Sequence, residues 1–219
     1  ILRHYGIPEK IVKAIQAIYN KSKSAVLVEG KLSEEFDVNS GVLQGDTLAP
    51  FLFIIVMDYV LKETEKEHFI NDGIGFITNE RQSSRHPATS ITDLDFADDI
   101  AILESTFEKA QQILTILERK AKEVGLEINT KKTEALTNQR HQNLNLMLSG
   151  QKICWVENFK YLGSMVISSE SDIKIRKAQA WAAFWKMKAL FRSKTLPIHL
   201  KRNIFQAACL SMLLYGCES

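Results

Sequence analysis

Apolar positions recur every three or four residues near the start of the chain, at Ile11, Val12, Ile15, Ile18 and Tyr19, with Pro8 just ahead of them. That spacing predicts a helix with proline in its first turn. Over residues 24–29 and 31–38 the pattern alternates around Gly30, as a hairpin does. Asp46 or Thr47 can cap a following helix over about residues 48–67, with Pro50 tolerated in its first turn. The first half of this helix is apolar on every side and is expected to be buried. Residues 71–90, rich in Asn, Gly, Ser and Arg, read as an exposed connection.

Two short apolar runs, 91–95 and 100–103, flank Phe96-Ala97-Asp98-Asp99 and predict a hairpin with adjacent carboxylates at its tip. Ser105-Thr106-Phe107-Glu108 has the form of a capping box, opening a helix that runs to about Val124 and closes at Gly125. Residues 126–128, 134–137, 144–148, 152–156 and 159–167 read as short strands. From Ser169 the pattern turns helical, with Ile173, Ala180, Phe184, Met187 and Phe191 in one helix. A break near Pro197 precedes a last helix carrying Ile204, Ala208, Leu210, Leu213 and Leu214. Trp181 and Trp185, four apart, read as core positions rather than base-stacking platforms. The coarse picture is an α+β body followed by a small helical domain, with no internal repeat.

Composition narrows the class without naming a chemistry. The chain has 219 residues, 45% hydrophobic and 25% charged, as in an ordinary soluble globular protein. It can bury one substantial core, or a larger and a smaller one. Its longest apolar run, residues 48–57, is too short to span a bilayer, which takes about 20 residues. No secretory signal opens the chain, and it starts at Ile1 close to a helical pattern, which reads as a segment of something longer. Cys154, Cys209 and Cys217 form no metal or redox spacing, so an intracellular setting is expected. The histidines His4, His68, His86, His141 and His199 lie singly and are expected at surface or half-buried positions.

The net charge of +2 hides an asymmetry. Residues 172–219 hold nine Lys and Arg against Asp172 and Glu218, a net +7, whereas the rest of the chain is acidic by five. A basic module beside an acidic body suits a polyanion met by one and cations held by the other. A solvated helical face would look the same.

Asp98 and Asp99 could be plain turn residues, since Asp suits hairpin tips. Apolar strands on both sides would instead set the tip beside the core, where neighbouring carboxylates repel unless a cation joins them. Upstream, Gly41 and Gly45 bound a polar loop, Ser40 to Leu48, in which Gln44 offers both an amide donor and an acceptor. Alone, that loop is an ordinary turn into a helix.

Taken together, Ser40–Leu48 with Pro50 and Phe51, then Phe96–Asp99, then Gly125–Asn129 with Lys132-Thr133-Glu134, then Tyr161-Leu162-Gly163 resemble four successive motifs of a reverse transcriptase. The type encoded by non-LTR (LINE-like) retrotransposons is the nearest match, and the resemblance runs from Leu2 to Tyr215-Gly216-Cys217-Glu218. It implies a polymerase palm with part of the fingers over residues 1–168 and an incomplete, basic helical thumb over 169–219. It further implies that Asp98 and Asp99 hold two Mg²⁺ ions, with Mn²⁺ as a substitute, and that Phe96 sits against the primer end. Ser40, Gly41, Gln44 and Gly45 would lie beside the incoming nucleotide and template. Lys132 would stand near the nucleotide phosphates as a proton donor to pyrophosphate. Tyr161, Leu162 and Gly163 would grip the primer, and Lys174, Arg176, Lys177, Lys186 and Lys188 would follow the nucleic-acid backbone. RNA template, DNA primer and deoxynucleoside triphosphates are the implied partners, with no membrane. Val42-Leu43 lacks the arginine that many relatives place before the glutamine.

The resemblance also implies a third metal-binding Asp from an earlier strand, upstream of Ile1. Asp93 and Asp95 share a strand with the pair and cannot easily replace it. The chain alone is therefore expected not to polymerise, although its class is RNA-directed DNA polymerase. The alternatives are a non-catalytic nucleic-acid-binding remnant and a helical interaction module. A viral RNA-dependent RNA polymerase would carry Gly-Asp-Asp where this chain has Phe-Ala-Asp-Asp.

Overall fold

The computed structural model describes residues 1–20, 22–38, 41–42, 45–70, 75–80, 83, 85–137, 145–166 and 168–217. They form two compact units, Ile1–Thr130 with Leu144–Lys152, and Lys131–Asn143 with Ile153–Ser219. Helices and small sheets mix in both, so the α+β class holds. Among the described residues the strands pair only two by two.

In the first unit, α1 (Glu9–Tyr19) starts behind Pro8 as its spacing predicts. Next, β1 (Lys23–Ser24) pairs with β4 (Phe36–Asp37), and β2 (Leu27–Val28) with β3 (Lys31–Leu32), forming the expected hairpin around Gly30. Helix α2 (Ala49–Ile70) is capped by Asp46, whose carboxylate accepts from the Leu48 amide at 3.1 Å and from the Tyr19 hydroxyl at 3.0 Å. Its apolar first half is not buried as expected: Phe51 and Ile54 face solvent. A helix is covered only where something packs on it, and α2 is sealed along Val60, Thr64 and His68, spaced by four.

The 71–90 segment also departs from its expectation. β5 (Phe76–Asn79) pairs with β6 (Thr89–Ile91) through a bulge, despite a turn-rich composition. β7 (Asp93–Phe96) and β8 (Asp99–Ile102) form the predicted hairpin. Helix α3 (Phe107–Glu123) begins at Thr106, whose hydroxyl accepts from the Lys109 amide at 3.4 Å. The cap is thus single, because Lys109 stands where a reciprocal box needs an acid. The far end is a Schellman turn: the Leu126 amide bonds the Ala121 carbonyl at 2.9 Å, and the Gly125 amide bonds Lys122 at 3.1 Å. That turn swings Leu126 and Ile128 onto Val60, Leu117 and Ala121, so 126–128 is core lining and not a strand.

β10 (Met147–Leu148) and β11 (Gln151–Lys152) return to α3, where Gln111 exchanges two hydrogen bonds with the Met147 backbone at 2.7 and 2.9 Å. His68, expected at or near the surface, is fully buried and meets the buried carboxylate of Glu104.

In the second unit β9 (Glu134–Ala135) runs parallel to β12 (Cys154–Trp155), and β13 (Lys160–Tyr161) forms a hairpin with β14 (Ser164–Met165). Helix α4 (Ser169–Lys186) is capped by the Ser168 hydroxyl. The single helix expected here breaks at Met187, and α5 (Lys188–Arg192) follows. α6 (Ile198–Ile204) runs through a π-helical stretch, Phe205–Leu210, into α7 (Ser211–Leu214), so the last helix is continuous but underwound in its middle. Trp181 and Trp185 are not core: both are exposed. No helix among the described residues is long and apolar enough to cross a membrane.

Candidate active site

The hairpin β7–β8 turns through two residues, Ala97 and Asp98, and Phe96 stands directly across from Asp99. Ala97 takes φ +58°, the positive angle that the first loop residue of a tight hairpin turn requires and that an alanine adopts only under strain. Side chains of cross-strand partners share a face. Phe96, Asp99, Leu94 and Ala101 therefore lie on one side, and Asp93, Asp95, Ile100 and Ile102 on the other. Ile102 packs onto the α2–α3 core, which fixes the second side as the inner one. The first side is open, with Phe96 63% exposed and Asp98 and Asp99 exposed beside it. The expectation of a tip set beside the core is corrected: β7 and β8 pair only with each other among the described residues, and Phe96, Ala97, Asp98 and Asp99 are all exposed.

The inner face gathers carboxylates of a different kind. Asp93 and Asp95 are two apart on β7, and a hydrogen bond between them holds the Asp95 proton, raising its pKa to about 6, with burial and the charges of Asp93, Asp58 and Glu65 adding to the effect. The Thr92 hydroxyl ties Asp93 at 2.6 Å and Glu65 of α2 at 3.3 Å. Asp58 of α2 is instead held below the usual carboxylate range by its bond from Lys62 and by the Tyr5 hydroxyl. Burial and that carboxylate push the Tyr5 phenol up to about 12. Asp93 and Asp95 thus face away from Asp99 and are committed to each other.

Asp98 and Asp99 are all-oxygen donors on an open turn, which fits a hydrated Mg²⁺ ion, since that ion keeps water and takes one or two protein carboxylates. Among the described residues no three His, Cys, Asp or Glu side chains converge as a metal-holding group.

Gly41 and Gly45 both adopt left-handed backbone, φ +82° and +91°, with open space where a Cβ would stand, so the loop's path rather than crowding calls for glycine. Gly41 and Val42 line a shallow apolar hollow with Ile15, Tyr19, Leu52 and Val56. Ser40 and Gln44 lie outside the described residues.

The remaining candidates belong to the second unit. Lys132 is exposed on a turn. Tyr161 pairs with Ser164 around Leu162 (φ +48°) and Gly163 (φ +89°), a two-residue turn with both central angles positive. At Gly163 a Cβ would come within 3.2 Å of the Tyr215 ring. Lys174, Lys177 and Lys186 are exposed along α4, and Lys188 follows at the start of α5. Arg176 differs: it is 8% exposed, and its guanidinium donates to the Gly163 carbonyl, to Ser164 Oγ and to Asp172. Asp172, Ser164 and Tyr215, none of them given a role at the site by the sequence motifs, brace this turn with it.

Residues 1–166 match the family of the reverse transcriptase (RNA-dependent DNA polymerase). A transposon-derived protein of Caenorhabditis elegans is 33% identical over 137 residues, 59% of this chain and 49% of that protein. The retrovirus-related Pol polyprotein from type-1 retrotransposable element R2 of Nasonia vitripennis is 32% identical over 62% of this chain, which is 12% of the polyprotein. The corresponding polyprotein from type-2 element R2DM of Drosophila melanogaster is 33% identical over 60% of this chain and 11% of its own length. The chain thus spans about half the first relative and about a tenth of the two polyproteins.

Proposed function

The chain belongs to the reverse transcriptase (RNA-dependent DNA polymerase) family, in its non-LTR retrotransposon branch, and from that premise we propose that it is the part of the polymerase that presents the metal-binding pair and the primer-facing surfaces. The observation that carries this reading is the β7–β8 hairpin, which sets Asp99 and Phe96 opposite each other on an open face with Asp98 at the turn. Residues 1–168 act as palm with part of the fingers, and residues 169–219 as thumb.

In this reading Asp98 and Asp99 supply oxygen donors to Mg²⁺ or Mn²⁺. A divalent cation held by Asp98 and Asp99 would supply Lewis acidity to a phosphoryl oxygen and to an attacking hydroxyl. Phe96 presents its ring to the last primer base. The Gly41–Gly45 loop, free of Cβ bulk at both ends, lets backbone come close to the nucleotide and template. Lys132 donates a proton to departing pyrophosphate. The Tyr161–Gly163 turn holds the primer strand, and Lys174, Lys177, Lys186 and Lys188 neutralise phosphates along it. RNA template, DNA primer and deoxynucleoside triphosphates are the substrates.

Among the described residues no third His, Cys, Asp or Glu side chain converges on Asp98 and Asp99 as a metal-holding group, and Asp93 and Asp95 face the other way. The 219-residue chain on its own therefore binds primer–template without extending it. The test is primer extension on RNA with Mg²⁺, by the chain and by the chain joined to an upstream strand carrying an Asp, with Asp98→Asn/Asp99→Asn as the control. Incorporation is expected only from the joined form and only with both aspartates intact. A joined form that binds but never incorporates would leave a nucleic-acid-binding remnant in place of the polymerase reading.

A further inference from the structure

Two indoles stand in water one turn apart on α4, Trp181 at 58% and Trp185 at 56% exposure. Helical spacing puts Lys174 and Lys177 on the same stripe, and Lys188 closes it, its ammonium 4.8 Å from the centre of the Trp185 ring. Arg176 lies on the opposite side of the helix, buried. The tryptophans are fixed from beneath. Phe184 meets both edge-on, at 5.7 and 6.0 Å, and itself stacks on Phe191 at 4.8 Å. These rings are held in place and still face outward.

We propose that this stripe is a stacking platform for the unpaired bases of a single nucleic-acid strand. The inference rests on the polymerase reading for the source of the strand, and on the stripe alone for its chemistry. A pair of aromatic faces flanked by cations, Lys174 and Lys177 on one side and Lys188 on the other, suits a strand that offers phosphates and unstacked bases together. An apolar protein surface seated here would bury lysine ammoniums without counter-charges, which is costly. A duplex keeps its base faces inside and shows only edges. Trp181 and Trp185 are about 6 Å apart along the axis, beyond the roughly 3.4 Å between stacked neighbours. Each indole therefore takes its own base from an extended strand. Lys174 is paired with Glu170 at 2.8 Å across an exposed gap, a contact weak enough for a phosphate to replace.

The test uses the 219-residue chain and a labelled oligothymidylate of roughly 12 nucleotides, with an abasic strand of the same length and a DNA primer–RNA template duplex for comparison, titrated by fluorescence anisotropy over a salt series. Trp181→Ala/Trp185→Ala should weaken oligothymidylate binding by about 10- to 100-fold. It should leave the abasic strand and the slope of affinity against salt nearly unchanged. Trp181→Phe/Trp185→Phe should recover most of the lost affinity, because a smaller ring still stacks. Equal losses on the two single strands, or no loss on either, would overturn the proposal, the latter being the result if another protein segment covers the stripe. Wild-type chain that binds the duplex but ignores the single strand would overturn the platform and spare the polymerase reading. Chain that binds neither would overturn both.

Discussion

The guanidinium of Arg176 lies over the ring of Tyr215, 4.6 Å from its centre, while the Tyr215 hydroxyl donates to the Leu162 carbonyl at 3.1 Å. Together with the bond from Arg176 to the Gly163 carbonyl, this clamps the Tyr161–Ser164 turn from two sides. Asp172 completes it, accepting from the Met165 amide at 3.1 Å and from Arg176 at 3.4 Å. A planar fork is needed to reach a carbonyl, a hydroxyl and a carboxylate at once.

Arg176→Lys keeps the charge and loses the fork. The second unit should lose about 2–4 kcal/mol, seen as a lower urea midpoint, and the Met165 amide should exchange its hydrogen faster. A variant as stable as wild type, with Met165 equally protected, would mean that Tyr215 and the turn hold without the guanidinium.

Arg176 shows how far the sequence could be read. By composition it belongs with the lysines, because it sits in a basic run. Yet it falls four residues before Ala180, on the stripe that Phe184 and Met187 continue, and that register already marked an inward position. The tryptophans differ from expectation for the converse reason: as large apolar residues they read as core, while their spacing aligns them with Lys174 and Lys177. The hairpin at Phe96–Asp99 and the Gly125 cap were legible because turn chemistry is local. The β5–β6 pair was not, since its strands are held by partners ten or more residues away and little in 76–79 or 89–91 announces them. The break at Met187 had no signal either, because methionine is a good helix former.

The raised pKa of Asp95 has a sign that can be checked. The native state binds a proton that the unfolded chain, with an ordinary carboxylate near 3.8, releases earlier. Stability from this group is therefore complete below pH 4 and is lost as pH rises through about 6. Asp95→Asn keeps the protonated shape at every pH. It should match wild type at pH 4 and exceed it at pH 8 by only about 1 kcal/mol, because an exposed side chain is screened. Thermal unfolding of both proteins across that range reads the difference, and parallel curves would rule out the shared proton.

Glu104 fills a different role. One of its oxygens meets His68 Nε2 and accepts from the Gly75 amide at 3.2 Å, and the other accepts from the Ser105 amide at 3.2 Å. Both side chains of the His68–Glu104 pair are sealed from solvent. Glu104→Ala strands the imidazole and at least one amide in the interior, at about 3 kcal/mol or more. Glu104→Gln retains an acceptor and a similar volume and should cost clearly less. Chemical denaturation of the three proteins gives the order, and an equal loss for Ala and Gln would show that carboxylate charge, and not bond satisfaction, sets the cost.

Ala97 carries the strain of the carboxylate turn. At φ +58° its Cβ crowds the backbone, a penalty of about 1 kcal/mol that glycine avoids. Glycine also enlarges the conformational freedom of the unfolded chain, which offsets part of the gain. Relief should still win, because the turn needs a positive angle whatever the residue. Ala97→Gly is thus expected to raise the unfolding free energy of the first unit by up to about 1 kcal/mol. The stiff alanine also fixes the direction in which Asp98 and Asp99 leave the turn. The same variant should therefore bind Mn²⁺ more weakly while folding better, since the carboxylates must then be ordered on binding. Stability can be followed by urea titration and Mn²⁺ by the relaxation of water protons. A variant that gains affinity along with stability would show that the strain at Ala97 does nothing to hold the pair.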